Sequence, residues 1–218
     1  MTWDWGYAQD IFPDILHAFI RYTLVVTVLA SALAATLGLV FAVIRGAHVP
    51  VVAPLTTAFI EFVRSTPIPI QLFFMFYVLP SLGLTLSGMF VGVLVLGVHY
   101  SCYYAEVYRA GIDNVPKGQW EACTALSMPA RYRWTHVVLP QAIRNVLPSL
   151  GNYVISMFKE TPFLFLIAVP EMVQEAVAIG GRSFRYLEAL TIAGLIFLAA
   201  SYPAAVAMRK LEKRLGHA

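Results

Sequence analysis

The sequence predicts an all-α, polytopic membrane protein with five transmembrane helices, its N-terminus outside and its C-terminus in the cytoplasm. Three observations carry this expectation. Charged residues make up 12% of the 218-residue chain and hydrophobic ones 59%, whereas soluble domains carry about 25% charged residues. Ser65 to Ala105 holds 41 residues without an Asp, Glu, Lys or Arg, enough for a turn and most of two crossings at about 20 residues each. The basic residues also segregate. Arg45, Arg109, Lys117, Arg131, Arg133, Arg144, Arg209, Lys210, Lys213 and Arg214 fall on one side of a five-span arrangement, ten of the fifteen, and Lys/Arg-rich loops stay in the cytoplasm.

Residues 1 to 15 mix acids with Trp3, Trp5, Tyr7 and Phe12, a composition expected of a short segment lying at a membrane surface. Asp4, Asp10 and Asp14 precede the first basic residue, Arg21, the reverse of a signal peptide's positive start. The first apolar segment is therefore expected to stay in the protein. Thr23 to Ile44 is the first crossing, 22 uncharged residues or about 33 Å of helix. Within it Ala30, Ala34 and Gly38 recur at four-residue spacing, giving one face small enough for close helix packing.

The second crossing, about Val51 to Leu79, is interrupted by Glu61 and Arg64 and by Pro67 and Pro69. Backbone broken at membrane depth must face protein or a water-filled cavity, since lipid cannot satisfy the freed carbonyls. Ser65 and Thr66 stand where they could cap a new helix with Pro67 as its first residue. Pro80 to Gly88 reads as a turn, and Met89 to Ala105 as the third crossing, ending at Glu106 and Arg109. A polar, basic island follows at about 108–144. Within it Gln119 to Leu126 favours helix, Ser127-Met128-Pro129 a turn, and Ala130 to Val138 a second helix running until Pro140. The fourth crossing starts near Leu147 and is broken by Lys159, Glu160 and Pro162 before Phe163 to Val169. Residues 171 to 186 form a mixed segment with a Gly180-Gly181 turn, and Ala189 to Met208 is the fifth crossing.

Several chemistries are excluded. No glycine is followed by lysine, so there is no phosphate-binding loop; G-x-S-x-G and H-E-x-x-H are missing too. Cys102 and Cys123 lack metal-ligand spacing, His99 and His136 read as isolated packing residues, and no basic cluster is interleaved with aromatics for nucleic acid. No metal, cofactor or catalytic residue is expected.

The intramembrane charges are more informative, because each costs about 2.5–3.5 kcal/mol at the bilayer centre. Glu61 and Arg64 share a helical face and are placed to neutralise each other. Lys159 and Glu160 are adjacent and point apart. Arg64-Ser65-Thr66-Pro67 and Lys159-Glu160-Thr161-Pro162 repeat a basic-x-Thr-Pro pattern, and paired interrupted segments point to a solute site near the midplane. The expected substrate path comprises Glu61, Arg64, Thr66, Gln71, Lys159, Glu160 and Thr161. Opposed charges of both signs suit a small zwitterion; the competing reading is that they only pair with one another or between subunits.

In the island, Glu121-Ala122-Cys123, Ser127 and Val137-Val138-Leu139-Pro140 resemble the EAA loop of permease subunits of ATP-binding cassette (ABC) importers. That pattern is Glu-Ala-Ala, three residues, Gly, nine residues, an aliphatic, any residue, Leu-Pro. Here Cys123 stands for the second Ala and Ser127 for the Gly, without glycine's freedom at positive φ. Glu61-Phe62-Val63-Arg64-Ser65-Thr66-Pro67, Gln71-Leu72-Phe73, Tyr104-Ala105-Glu106-Val107-Tyr108-Arg109-Ala110-Gly111-Ile112 and Leu139-Pro140-Gln141-Ala142 are similar to the polar-amino-acid branch of that family, over roughly residues 16–208. Gly118-Gln119-Trp120-Glu121-Ala122 and Met157-Phe158-Lys159-Glu160-Thr161-Pro162 look similar to ectoine and hydroxyectoine permeases.

The resemblance implies a type I importer-like fold and a single transmembrane permease domain over 1–218 in the inner (plasma) membrane. It also implies cytoplasmic coupling through Gly118, Glu121, Ala122, Cys123, Ser127, Val137, Leu139 and Pro140. The partners it implies are a cytoplasmic ABC ATPase dimer, an extracytoplasmic solute-binding protein, a second permease subunit (hetero- or homodimer) and membrane lipid, with no nucleic acid. The alternatives are a secondary transporter or channel subunit not driven by ATP, and a structural membrane subunit with no path.

Overall fold

A computed structural model describes residues 2–47 and 49–215. Among these residues the structure is helical with no strand. Eight helices form it: α1 Trp5–Gly46, α2 Val52–Ser65, α3 Ile68–Leu82, α4 Gly88–Asp113, α5 Lys117–Ala125, α6 Ala130–Ile167, α7 Met172–Ser183 and α8 Tyr186–Arg214. The helices α1, α4 and α8 are each long and apolar enough to cross a membrane. The pairs α2/α3, bent by 103°, and α6/α7, bent by 49°, each qualify as a broken span, giving three to five crossings.

The helix α1 is 42 residues long, about 63 Å and roughly twice a bilayer's hydrocarbon thickness. Residues 5–15 are therefore continuous with the first apolar helix and do not form a separate segment. Asp4 caps the helix through the Tyr7 amide, and Ala8, Ile11, Ile15 and Phe19 bury against Met172, Ala176, Ala189 and Ile192. Hydrophobic burial against α7 and α8 outweighs the interfacial preference of the Trp and Tyr rings. The turn Phe19–Leu24 is π-helical, and an α-helix continues through Gly46.

The small face read in α1 is a packing seam. Ala30, Ala34, Gly38 and Ala42 are buried, and a Cβ on Gly38 would lie 2.6 Å from the Tyr104 Cβ and 2.9 Å from the Ser101 carbonyl oxygen of α4. Gly97 of α4 reciprocates by admitting Leu33. Without a strong hydrophobic drive between helices in lipid, such backbone proximity supplies the dispersion contacts that hold spans together. Outward residues such as Val28, Leu29, Val43, Leu195 and Leu198 are exposed, as befits surfaces facing acyl chains.

Three local expectations are corrected. Pro67 is not the first helical residue of α3: it sits just outside in extended backbone (φ −61°, ψ 139°), with no side-chain cap. Thr66 instead donates its hydroxyl back to the Phe62 carbonyl at 2.7 Å. Pro140 does not end a helix; α6 runs through it, and the preceding residues Arg133–Val138 form a π turn. A similar π turn at Phe74–Val78 precedes Pro80 in α3. A proline ring clashes with the carbonyl four residues back, and the wider π ladder shifts that register. Gln141 adds a side-chain hydrogen bond to the Val137 carbonyl at 2.8 Å. Lastly, α7 passes through Gly180-Gly181 and turns at Phe184 (φ 56°). Gly180 is needed for space, since a Cβ there would lie 2.5 Å from the Tyr186 ring.

Candidate functional site

The break between α2 and α3 leaves carbonyls that lost their intrahelical partners. Gln71, one turn into α3, folds back over them: its amide Nε2 donates to the Val63 carbonyl at 2.9 Å and the Thr66 carbonyl at 3.0 Å, and meets His99 Nδ1 of α4 at 3.1 Å. These bonds close the α2/α3 corner and fix it to α4. Gln71 is therefore a holder of the corner and does not line the cavity beside it.

That cavity, about 290 Å³, is lined by the corner residues Arg64 to Pro69, by His99 and Tyr103 of α4, and by Glu160 and Phe163 of α6. The two interrupted crossings thus meet at one polar space. Arg64 lies 5.1 Å from the Tyr103 ring centroid, close enough for cation–π attraction. It is 3.4 Å from Glu61 and 4.0 Å from Glu106, whose same oxygen also takes Arg45. The Arg64 Nε is buried without an acceptor, an unusual state for a guanidinium donor. Across the cavity, Glu160 Oε2 accepts from the Tyr100 hydroxyl at 2.8 Å.

Of the seven path residues, the structure brings Arg64, Thr66 and Glu160 to the cavity. Glu61 is largely exposed and touches Arg64 from outside. Lys159 is exposed and away from the lining. Thr161 is buried, donating to the Phe158 carbonyl at 2.8 Å. The two basic-x-Thr-Pro copies are built differently. The first breaks at Thr66-Pro67, whereas the second continues as a 3-10 helix over Thr161–Ile167 and breaks only at Ala168, in left-handed backbone. His99, Tyr100 and Tyr103 were not among the predicted residues; their four-residue spacings place 99 and 103 on one face of α4, and that periodicity was the available signal.

The polar island forms a two-helix protrusion. The helix α5 ends in a Schellman motif: the Met128 amide donates to the Cys123 carbonyl and the Ser127 amide to the Thr124 carbonyl, both at 3.0 Å, with Ser127 left-handed at φ 50°. This is the conformation for which glycine is usual, so the serine keeps the turn at the cost of a Cβ clash. Cys123 is buried, while Gly118, Glu121, Ala122 and Pro140 are exposed and Val137 half-buried. Leu139 is exposed too. Trp120 packs edge-on against Trp134 at 5.4 Å, and Arg133 lies 5.7 Å from the Trp120 ring. Val115, Val138 and Ala142 form the protrusion's own small core.

A helical membrane protein with a two-signed polar cavity between broken helices, and a separately cored polar protrusion, has the makings of a transport subunit. Residues 34–217 match the family described as "Binding-protein-dependent transport system inner membrane component", and the chain belongs to it, as an ABC transporter permease of the polar amino-acid type. It is 42% identical to a probable amino-acid ABC transporter permease of Sinorhizobium fredii, over 98% of this chain and 94% of that one. An L-cystine transport system permease of Bacillus subtilis is 33% identical (96% and 92% covered). In structure it is similar to a chain in a crystal structure of an amino acid ABC transporter with histidines, with TM-score 0.91 and 30% identity over 98% of this chain and all of that one. An inward-facing methionine transporter shares the fold, with TM-score 0.75, 17% identity, and 92% and 96% covered. In this family the ATPase is a separate subunit and the permease is an inner-membrane protein, which decides against a transporter not driven by ATP.

Proposed function

We propose that this chain is the pore-forming subunit of an ATP-driven importer for a small zwitterionic solute, an amino acid or ectoine/hydroxyectoine, and that its whole length is one permease domain. One observation carries the reading: Arg64 and Glu160 line the same 290 Å³ cavity from two different broken helices. Arg64, with a buried donor that has no acceptor, binds the solute carboxylate, and Glu160 binds its cationic group, with Thr66 beside them. Two charge-assisted contacts of this kind orient a solute end to end. Tyr100 holds one Glu160 oxygen and leaves the other to the solute.

In this reading the N-terminus is outside and the protrusion cytoplasmic, an orientation that the ten clustered basic residues support. Glu121, Ala122 and Gly118 on the open face of α5, with Leu139 and Pro140, dock on an ABC ATPase dimer. Cys123 and Val137 hold the protrusion together, and Ser127 sets its turn. A second permease subunit completes the path, and an extracytoplasmic binding protein delivers the solute. Relatives named for L-cystine and glutamine support an amino acid, and the Met157 to Pro162 stretch supports ectoine.

The test is uptake in proteoliposomes holding the assembled transporter and its binding protein. Arg64→Gln and Glu160→Gln are each expected to lower uptake by about 10-fold or more, the equivalent of losing a charge-assisted bond of about 1.5–3 kcal/mol. Normal uptake by both, at normal expression, removes these residues from the site. Competition by unlabelled ectoine, glutamine and cystine then identifies the solute.

A further inference from the structure

His99 of α4 lines the cavity and is otherwise buried, at 7% exposure. A neighbour decides where its ring hydrogen sits. Gln71 Nε2 lies 2.9 Å from the Val63 carbonyl, 3.0 Å from the Thr66 carbonyl and 3.1 Å from His99 Nδ1. Carbonyls only accept, so the atom facing them is the amide nitrogen with its two hydrogens; the amide turned over would set its oxygen against both carbonyls. An amide nitrogen donates and does not accept, so it cannot take a hydrogen from the ring. His99 Nδ1 is therefore bare and shares the two hydrogens with the carbonyls. The imidazole hydrogen is left on Nε2.

The ring is neutral in this arrangement, since a cationic imidazole carries a hydrogen on both nitrogens. Nε2 has no acceptor among the described residues, and it is not one of the buried polar atoms sealed in without a partner. It therefore opens on the space that His99 borders, which is the cavity. Arg64 and Glu160 are the charged residues of the lining, one of each sign, so a neutral His99 keeps the cavity balanced in charge. The Arg64 guanidinium and the His99 ring both neighbour Tyr103, at 5.1 Å and 5.5 Å from its ring centroid.

We propose that His99 is a specificity-determining residue, a role that rests on this cavity being the solute path. Its Nε2–H donates to the solute carboxylate beside Arg64, and Gln71 holds the ring in the tautomer that can do so. The cationic end of a zwitterion offers no acceptor, so the carboxylate is the group this donor recognises. A site built to hydrogen-bond one group rejects the analogue lacking it, because its own buried polar group is then left unpaired. A neutral donor adds this selection without a second positive charge, which would favour anions over zwitterions.

Equilibrium binding to the assembled transporter in nanodiscs, without its binding protein, tests this with radiolabelled ectoine, L-glutamine and L-cystine as probes. His99→Asn keeps an amide oxygen near the Nδ1 position for Gln71 but has no atom at Nε2. His99→Gln places an amide N–H near Nε2 and gives up the Nδ1 acceptor. For each probe that the unsubstituted assembly binds, His99→Asn is expected to weaken binding about 10-fold or more, as loss of a hydrogen bond to a charged group does, and His99→Gln to weaken it less. Equal weakening, or the reverse order, makes His99 a support of the α2/α3 corner alone and overturns the proposal. Nitrogen NMR of the histidine-labelled assembly, with the His99 signals assigned by their loss in His99→Gln, should show the hydrogen on Nε2; a hydrogen on Nδ1 overturns it as well. Arg64→Gln is the reference. If it loses binding while His99→Asn does not, the role of His99 falls and the proposed function stands. Unchanged binding in Arg64→Gln, Glu160→Gln and His99→Asn, or no binding of any probe by the unsubstituted assembly, overturns both.

Discussion

Substituting Gly38 by alanine tests the packing seam between α1 and α4 most directly. The added methyl carbon would lie 2.6 Å from the Tyr104 Cβ, 2.9 Å from the Ser101 carbonyl oxygen and 3.3 Å from the Ala105 amide nitrogen. Two of these three neighbours are backbone atoms and the third is a Cβ, so none can rotate away; the helices must separate by roughly 1 Å. Overpacking of this kind costs about 1–3 kcal/mol, while exchanging Gly for Ala in a helix returns about 1 kcal/mol. Gly194→Ala in α8 isolates the second effect, because a Cβ there meets nothing within 4 Å. The difference between the variants is therefore the overpacking alone. At about 2–4 °C per kcal/mol for a chain of this size, Gly38→Ala should melt roughly 2–12 °C below Gly194→Ala. Cys102 on α4 and Cys123 are both free and buried, so a thiol-reactive dye reports the melt in detergent. Coincident melting curves for the two variants would refute the seam as a determinant of stability.

Gln71→Leu removes the amide whose two hydrogens are shared among the Val63 and Thr66 carbonyls and His99 Nδ1; the Val63 carbonyl keeps the Thr66 amide at 3.3 Å, while the Thr66 carbonyl loses its side-chain donor. At about 1–3 kcal/mol for a buried group left unpaired, the melting temperature should fall by several degrees and uptake with it, and Gln71→Glu should cost at least as much, since it sets a carboxylate oxygen against the Val63 and Thr66 carbonyls. Ser127→Gly relieves a left-handed residue at φ 50°, worth about 1–2 kcal/mol of backbone strain less glycine's extra unfolded entropy of about 0.5–1 kcal/mol. A small rise in stability with unchanged ATPase coupling is expected. Glu121→Lys, on the open face of α5, should abolish binding to the ATPase subunit in pull-down without shifting the melt. Arg45→Glu and Glu106→Arg each break the ion pair at the α1/α4 seam, and each should lower uptake; the double swap should recover most of it, as a double-mutant cycle would read.

Uncharged runs and helical periodicity in the sequence marked the three helices long and apolar enough to cross a membrane and the two bent pairs, because hydropathy is a one-dimensional property of the chain. Small residues at four-residue spacing marked the α1 seam, and the Glu121 to Pro140 spacing marked the protrusion. The boundaries were less legible. Pro140 reads as a stop, and only the π turn at Arg133–Val138 lets the helix pass it. Gly180-Gly181 reads as a turn, but a neighbouring ring fills the space those glycines leave.

The sequence by itself determined a helical membrane protein with charges at two interrupted segments and a loop that resembles a permease's coupling loop, since composition, breaks and motif spacing are local. Only the tertiary structure decided which of those charges line one cavity. Arg64 and Glu160 are separated by 96 positions, and they line one cavity together with His99 and Tyr103 of α4. Lys159, one residue away from Glu160, points elsewhere, because successive residues on a helix are turned by about 100°. Which neighbour enters the cavity is set by how α6 packs on α4 and not by the residues' identities.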